Sequence, residues 1–504
     1  MIKKDLFNRT LFSDTSPARL SRRELLGCMT GAATAPARSR ERPPNLVLIL
    51  TDNHGAWSLG CYGNPDVRTP NIDGLAREGV LFSRAFAVNA VCSPTRASLL
   101  TGLMPSQHGV HRFLGAGGAQ IGPGAYNTIG EFASLPVILT RAGYVAGLTG
   151  KWHLGGNLTP QSGFTYWITK PHGGSNGFYD QEVIEDGKIR VHPGYLTDLW
   201  TDRAVDFIEQ NRERPFFLFL TYNGPYGLSG AAKEPVRNRH AAYYADKELP
   251  SFPRDAPHPW LFNHRDWMND AGVRRKYAAE VSGIDDGVGR ILDTLRRLSL
   301  EQNTLVLFTA DQGLAGGHSG YWGMGDHTRP LTAFDWTMSI PMIFRQPGRI
   351  SGGRRSDLMV STCDVLPTLL TYLGMEQSLP ANPPPSGRSF APVLRGESVD
   401  WENVVFFEFE NVRAIRTAQW KYIERIHQAP NELYDLQHDP GERLNLHGRE
   451  DLRVVQNGLR KRLREFFERY ADPKWDLWKG GRSKSGLMTA DLFGIRNTGE
   501  GIVP

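Results

Sequence analysis

Long apolar stretches are missing from this chain. No run approaches the ~20 residues that a membrane-spanning helix needs, so no span is expected. Cysteine is scarce: Cys28, Cys61, Cys92 and Cys363 are the only four in 504 residues. That is too few for a disulfide scaffold. Net charge is thin as well. The total is +5, but residues 1–42 carry nine Lys/Arg against four acids, which leaves 49 of each sign beyond them. A balanced chain offers no electrostatic footprint for nucleic acid. Attraction to a polyanion would have to come from local charge. No internal repeat is visible.

What the chain does have is 54 Gly and 33 Pro, the loop-rich texture of an α/β enzyme with long site-forming loops. Asn45-Leu46-Val47-Leu48-Ile49-Leu50 reads as a strand buried on both faces of a parallel sheet. Similar runs recur at 144–148, 216–222 and 304–309, with helical patterns between them. Over 273–298, Tyr277, Val281, Ile284, Val288, Ile291, Leu292 and Leu295 keep the three-to-four spacing of one helix face. Alternating strands and helices predict an α/β fold with a large domain, its mostly parallel central sheet flanked by helices. Beyond about Asp400 the texture changes to short strands at 404–409, 412–416, 420–424 and 432–435, then a basic helix at 452–470. This predicts a small C-terminal antiparallel sheet with one helix. The division is 1–42, 43–395, 396–475, and a mobile tail at 476–504, its loose texture starting near Trp475.

Residues 1–42 read as a targeting segment. Ser21-Arg22-Arg23-Glu24-Leu25-Leu26 resembles a twin-arginine export motif, a weakly apolar run follows, and Thr34-Ala35-Pro36-Ala37 offers a small-residue cleavage site. Export machinery and a periplasmic or secreted location are therefore expected. Leu26-Gly27-Cys28 gives the outline of a lipoprotein box, without the apolar stretch that should precede it.

The most informative run is Val91-Cys92-Ser93-Pro94-Thr95-Arg96-Ala97-Ser98-Leu99-Leu100-Thr101-Gly102. A cysteine at a Pro turn with an arginine four residues on allows two roles. One is a low-pKa thiolate nucleophile, the other a site of covalent modification. Two further pairs carry chemistry. The first strand ends in Asp52-Asn53 and a late one in Asp311-Gln312. Ligands of doubly wound sheets bind beyond the carboxyl ends of strands, so two carboxylates, each beside an amide, share one edge. Oxygen donors of this kind suit Ca²⁺ or Mg²⁺. Gly150-Lys151-Trp152-His153-Leu154-Gly155 follows the 144–148 strand, placing a Lys and a His toward one small site.

Taken together, these runs resemble the signatures of type I sulfatases, in the alkaline phosphatase superfamily. So do Ala414-Ile415-Arg416-Thr417, Lys421-Tyr422 and Glu432-Leu433-Tyr434-Asp435-Leu436. The resemblance covers about residues 43–470. It implies that Cys92 is oxidised to formylglycine (3-oxoalanine) by a maturation enzyme and that the hydrated aldehyde attacks sulfur. It implies a divalent cation, usually calcium with Mg²⁺ as the alternative, held by Asp52, Asn53, Asp311, Gln312 and the modified Cys92. Asn53 stands where the family commonly has a second aspartate, which lowers the ligand charge by one. By the same resemblance Arg96 orients the hydrate, Lys151 binds hydrate and sulfate, and His153 is the base that expels sulfate.

Two departures from the family pattern concern the leaving group. Tyr226, in Asn223-Gly224-Pro225-Tyr226, stands where many sulfatases have a histidine. Gly325-Asp326-His327-Thr328-Arg329-Pro330 stands where a lysine is common. His327 or Tyr226 is then the candidate leaving-group acid, and Arg329 a candidate bidentate sulfate ligand. His318 is a weaker candidate, and His108 and His111 line up only loosely with a substrate rim. His172 and His192 read as loop residues. The resemblance is poor over 105–135 and 225–270, where Trp260, Phe262, His264 and Trp267 suit either stacking on a sugar or surface packing. The expected activity is hydrolysis of a sulfate monoester on a carbohydrate or aryl group. Three alternatives share the residues: a phosphonate or phosphodiester hydrolase, a non-catalytic binder of sulfated glycans, and a cysteine hydrolase. Cys61 and Cys363 are expected as free thiols.

Overall fold

The apolar run at 45–50 becomes strand β1 (Asn45–Asp52), with all eight residues buried. Its alternate side chains point to opposite faces. Val47 and Ile49 enter one hydrophobic cluster, while Leu46, Leu48 and Leu50 enter another. A strand apolar on both faces needs cover on both sides, which is why the sequence around it supplies helices. The computed structural model describes residues 42–115, 118–427 and 430–494. The twin-arginine pair, Cys28 and the proposed cleavage site lie outside the described residues.

The large sheet is built from β1, β2 (Val80–Phe86), β3 (Val145–Gly150), β4 (Tyr166–Thr169), β5 (Tyr179–Glu185), β6 (Lys188–Tyr195), β7 (Phe216–Pro225), β8 (Thr304–Ala310), β9 (Ser339–Ile340), β10 (Met342–Arg345) and β11 (Arg354–Ser361). The order is β11-β2-β10-β8-β1-β7-β3-β4-β5-β6, with β9 paired to β2. Its centre, β8-β1-β7-β3-β4, is parallel throughout. Antiparallel partners flank it on both sides. All five central strands therefore end at one edge, and the sequence places Asp52, Lys151 and Asp311 there. His192, expected in a loop, lies on β6.

The helix Ala271–Arg297 forms because its apolar residues repeat along one face and Asp270 accepts a hydrogen bond from the Val273 N–H at 3.0 Å. It packs Tyr277, Val281, Ile284, Val288 and Ile291 into the same cluster as Val47. Among the described residues no helix is long and apolar enough to cross a membrane. Cys61 and Cys363 are free thiols.

A separate four-stranded antiparallel sheet, β12 (Val404–Phe409), β13 (Val412–Thr417), β14 (Trp420–Arg425) and β15 (Glu432–Asp435), follows in simple order. The helix Arg453–Tyr470 covers it with Leu459, Leu463 and Phe467. A buried charge cluster ties this sheet to the short helix Asp335–Met338 that leads into β9. Lys421 Nζ, fully buried, lies 2.9 Å from Asp335 Oδ1 and 2.7 Å from Glu442 Oε1. Removing one partner of such a set costs about 3–5 kcal/mol because the others stay buried and unpaired.

The segment from Trp475, expected to be mobile, is folded through Gly494. Trp475, Leu477, Leu487 and Ala490 are buried. Glu410 accepts hydrogen bonds from the N–H groups of Met488 and Thr489, both at 2.8 Å. The Lys484 N–H donates to the Gly109 carbonyl at 2.7 Å. Its anchors are backbone bonds to distant elements, and its apolar residues follow no helical or strand period, so the pattern along the segment does not announce them.

Candidate active site

At the end of β1, Asp52 turns its carboxylate into a fully buried cluster. Asp311 follows β8 on the neighbouring strand, its N–H donating to the Thr51 carbonyl at 3.0 Å. The parallel register of β1 and β8 thus sets the two carboxylates side by side. Asn53 adopts a left-handed backbone (φ 58°), a conformation Asn tolerates better than most residues. Its N–H reaches Asp311 Oδ1 at 3.4 Å.

Cys92 opens the helix Cys92–Thr101, whose ten residues are all buried. Thr95 Oγ1 donates to the Asn89 and Val91 carbonyls, both at 3.1 Å, and holds the first turn closed. Cys92 Sγ lies 3.5 Å from Asp52 Oδ1. One turn on, Arg96 reaches across with Nε and Nη2 each 2.9 Å from Asp311 Oδ2. Its Nη1 donates to the Lys151 carbonyl at 2.5 Å. Burial, with Asp52 beside it, pushes the Cys92 thiol well above the ordinary cysteine value. Burial and Asp52 also raise Asp311, to about 6.

Lys151 follows β3 at a point where Gly150 (φ 112°) is obligatory. A Cβ there would sit 1.8 Å from the Thr221 carbonyl oxygen. The Lys151 ammonium pairs directly with Asp52 Oδ2. Burial alone would lower its pKa, but Asp52 and Cys92 outweigh burial and raise it. His153, also left-handed (φ 59°), bonds the Leu114 carbonyl through Nε2 at 2.9 Å. Its Nδ1 is buried without a partner. Burial and Lys151 hold the ring neutral, so Nε2 carries the proton and Nδ1 keeps a free lone pair.

One ligand atom each from Asp52, Cys92 and Asp311 lie within 4.8 Å of one another. Gln312 Nε2 donates to Asp52 Oδ1 at 3.2 Å and to Cys92 Sγ at 3.3 Å. That leaves its Oε1 buried and unpartnered, as is Asn53 Oδ1. A buried acceptor left unpaired costs free energy. Two such oxygens next to two carboxylates form a donor set that fits a hard divalent cation.

The remaining candidates are spread out. Tyr226 follows β7, and its N–H donates to the Asp52 carbonyl at 3.1 Å. Its ring lies 5.5 Å from Lys151 Nζ. Burial, Cys92 and Asp52 raise its phenol well above the usual value, so it keeps its proton. His327 turns instead to His264, Nδ1 to Nδ1 at 2.7 Å, and burial with Arg329 lowers it to about 4. The imidazolium form is therefore disfavoured, which makes His327 a weaker candidate for the leaving-group acid. Arg329 is not brought to the cluster. It is exposed, donates to the Asp326 and Thr328 carbonyls, and stacks 4.7 Å over Phe262.

Three other candidate histidines make contacts of their own. His108 bonds Ser98 Oγ at 3.1 Å, His111 bonds Ser483 Oγ at 3.3 Å, and His318 stacks on Trp336. Of the aromatic residues at 260–267, Trp267 is buried against His264 and Trp260 stacks on Phe334, so packing accounts for both. Phe262 alone stays exposed, at 62%. Two residues near the cluster are given no role by the sequence motifs. Asp326 is raised to about 7 by burial and acts electrostatically on Tyr226. Lys170 follows β4 and is buried. Lys170 sits in no run with recognisable spacing, and Asp326 lies in the 325–330 run with no role of its own there. Only the sheet register and the fold of 322–328 bring them in.

Comparison with known proteins agrees with this geometry. The family model described as Sulfatase matches residues 44–375, and the model for the C-terminal part of N-sulphoglucosamine sulphohydrolase matches 325–469. The chain is 27% identical to an N-acetylglucosamine-6-O-sulfatase of Bacteroides thetaiotaomicron, over 89% of this chain and 91% of that one. It is 31% identical to the N-acetylgalactosamine-6-sulfatase of Canis lupus familiaris, over 78% and 72% respectively. A solved protein in complex with its substrate D-glucosamine-2-N,6-O-disulfate superposes with a TM-score of 0.67 at 25% identity, covering 85% of this chain and 98% of that one.

Proposed function

The chain belongs to the sulfatase family, and on that premise we propose that it hydrolyses a sulfate monoester carried by a sugar, using a formylglycine made from Cys92. The observation that carries the reading is the buried set of Cys92, Asp52, Asp311, Arg96 and Lys151, with Asn53 and Gln312 beside it, each holding a buried oxygen that has no partner among the described residues. The relatives named as acting on amino sugars with a 6-sulfate support the carbohydrate substrate. A thiol held protonated by burial beside two carboxylates is a poor nucleophile, which counts against a cysteine hydrolase.

Formylglycine, when formed, supplies a hydrate whose oxygen attacks sulfur and whose second hydroxyl allows the sulfate to be expelled. A divalent cation, calcium or magnesium, would be held by Asp52, Asn53, Asp311, Gln312 and the side chain at 92, and would draw charge from the sulfate oxygens. Arg96 fixes Asp311 and neutralises developing charge from the helix side. Lys151 does the same from β3. His153, neutral with a free Nδ1, accepts the proton as sulfate leaves. Tyr226 donates a hydrogen bond to the leaving oxygen. It is favoured over His327 because Cys92 and Asp52 act on its phenol, whereas His327 faces His264. Export through the twin-arginine route and maturation by a formylglycine-generating enzyme belong to the same reading, with a periplasmic or secreted location.

The test is the mass of the proteolytic fragment carrying residue 92, from protein made in its native host, alongside sulfate release from N-acetylglucosamine 6-sulfate, N-acetylgalactosamine 6-sulfate and an aryl sulfate. An aldehyde in place of the thiol, with release from a sugar sulfate, is the expected result. Unmodified cysteine in active protein overturns the formylglycine mechanism.

A further inference from the structure

Among the described residues five lysines are buried: Lys151, Lys170, Lys276, Lys421 and Lys484. Four of them meet a carboxylate. Lys151 pairs with Asp52, Lys276 with Glu280 at 2.8 Å, Lys421 with Asp335 and Glu442, and Lys484 with Glu131. Lys170 has no carboxylate within ion-pair distance and no hydrogen-bond partner for its ammonium among the described residues. An ammonium buried without a counter-charge costs several kcal/mol. A fold retains one where a ligand provides the missing charge.

The sheet says where that ligand would lie. β3 and β4 run parallel, with Gly150 opposite Thr169. Lys151 and Lys170 are the next residues on each strand, so two lysines leave adjacent strands at the edge that carries the site. Lys151 and Asp52 both act electrostatically on Lys170. Asp52, however, is already bonded to Lys151. The two carboxylates of the cluster, Asp52 and Asp311, are matched by Lys151 and Arg96. Lys170 therefore adds a positive charge that nothing in the cluster offsets.

Its surroundings are set for a polar ligand rather than for packing. Asn157 Nδ2 donates to the Lys170 carbonyl at 3.0 Å and pins the backbone there. Asn157 Oδ1, His172 Nδ1 and His153 Nδ1 are all buried without partners. Lys170 acts electrostatically on His172, and His172 on His153.

We propose that Lys170 is a substrate-binding residue that takes an oxyanion of the substrate beside Lys151. The oxyanion is either the scissile sulfate or a second anionic group on the same sugar. This rests on the reading of the site as a sulfatase centre.

The test is calorimetric binding to the full chain with two variants, Lys170→Met and Lys170→Arg, and two probes, inorganic sulfate and D-glucosamine-2-N,6-O-disulfate. Lys170→Met should weaken at least one probe tenfold or more, and Lys170→Arg should stay within about threefold of the parent, since it keeps the charge. Weakening of inorganic sulfate places Lys170 on the scissile group. Weakening of the disulfate alone places it on the second anion. Equal affinity of Lys170→Met for both probes, equal loss in both variants, or no binding of either probe by the parent overturns the proposal. A thermal melt without anions separates folding from binding. Removing an unpaired buried charge should raise the midpoint of Lys170→Met, whereas a lysine with a structural role would lower it. Sulfate release by the parent chain is read separately, so failure of the sulfatase reading is distinguishable from failure at Lys170.

Discussion

Arg96 Nε and Nη2 both lie 2.9 Å from Asp311 Oδ2, and neither side chain is exposed. The pair joins the helix that presents Cys92 to the end of the strand that presents Asp311, so it fixes the spacing of those two side chains. Arg96→Lys keeps the charge but loses the planar fork. Its kcat/KM is expected to fall by ~10²–10³, the loss typical of one misplaced charge-stabilising donor. Arg96→Ala also leaves Asp311 buried and unpaired, and urea unfolding should show about 3–5 kcal/mol less stability. An Arg96→Lys enzyme with unchanged kcat/KM would remove Arg96 from the chemistry.

Asn53 supplies an oxygen where a carboxylate would supply a charge, and that oxygen has no partner among the described residues. Cation affinity rises with the number of charged ligands at a site. Asn53→Asp is therefore expected to lower the calcium concentration for half-maximal activity about tenfold. Without calcium the same variant should melt earlier than the parent, because a third carboxylate then joins Asp52 and Asp311. Chelator-buffered calcium titrations and melts with and without calcium check both signs. A midpoint that does not move would mean that residue 53 is not a ligand.

Tyr226 lies over Lys151 and keeps its phenolic proton. A hydrogen bond to the departing oxygen matters most when that oxygen is a poor leaving group. Tyr226→Phe should lower kcat by ~10²-fold on a sugar sulfate and far less on p-nitrophenyl sulfate, whose phenolate leaves unaided. Equal losses on the two substrates would mean that the hydroxyl positions neighbouring groups and does not assist the leaving oxygen.

Much of this site is legible in the amino-acid sequence. The strand at 45–50, the pair Asp311-Gln312, the Cys92 run and the Lys151 loop are local patterns, each set by a few consecutive residues, and the parallel sheet brings their ends together. The rest depends on contacts between distant segments. Lys170 is an ordinary residue after a short strand until the register with β3 sets it beside Lys151. His327 reads as available because local sequence does not show that His264, 63 residues earlier, takes its ring nitrogen. Arg329 is drawn outward by Phe262 and two carbonyls. The 475–494 segment is held by Glu410, whose buried carboxylate is visible only once β12 and β13 are paired.

Asp326 supplies a test in pH. Its carboxyl is raised to about 7, chiefly by burial, with Arg329 and Arg112 offsetting part of the effect. In the unfolded chain the group titrates near the ordinary value of ~3.9. Between those two values the native state holds a proton that the unfolded state has lost. The contribution of Asp326 to stability is therefore fully present below pH ~4 and is lost as pH rises through about 7. Asp326→Asn has no such titration. The variant and the parent should be equally stable near pH 4, and the variant should gain on the parent as pH rises, reaching an advantage of ~2–4 kcal/mol at pH 8. Urea unfolding of both proteins at several pH values, at fixed calcium, measures the difference directly. A gap that stays flat between pH 5 and 8 would mean that Asp326 is ionised throughout, its charge held by Arg329 and Arg112.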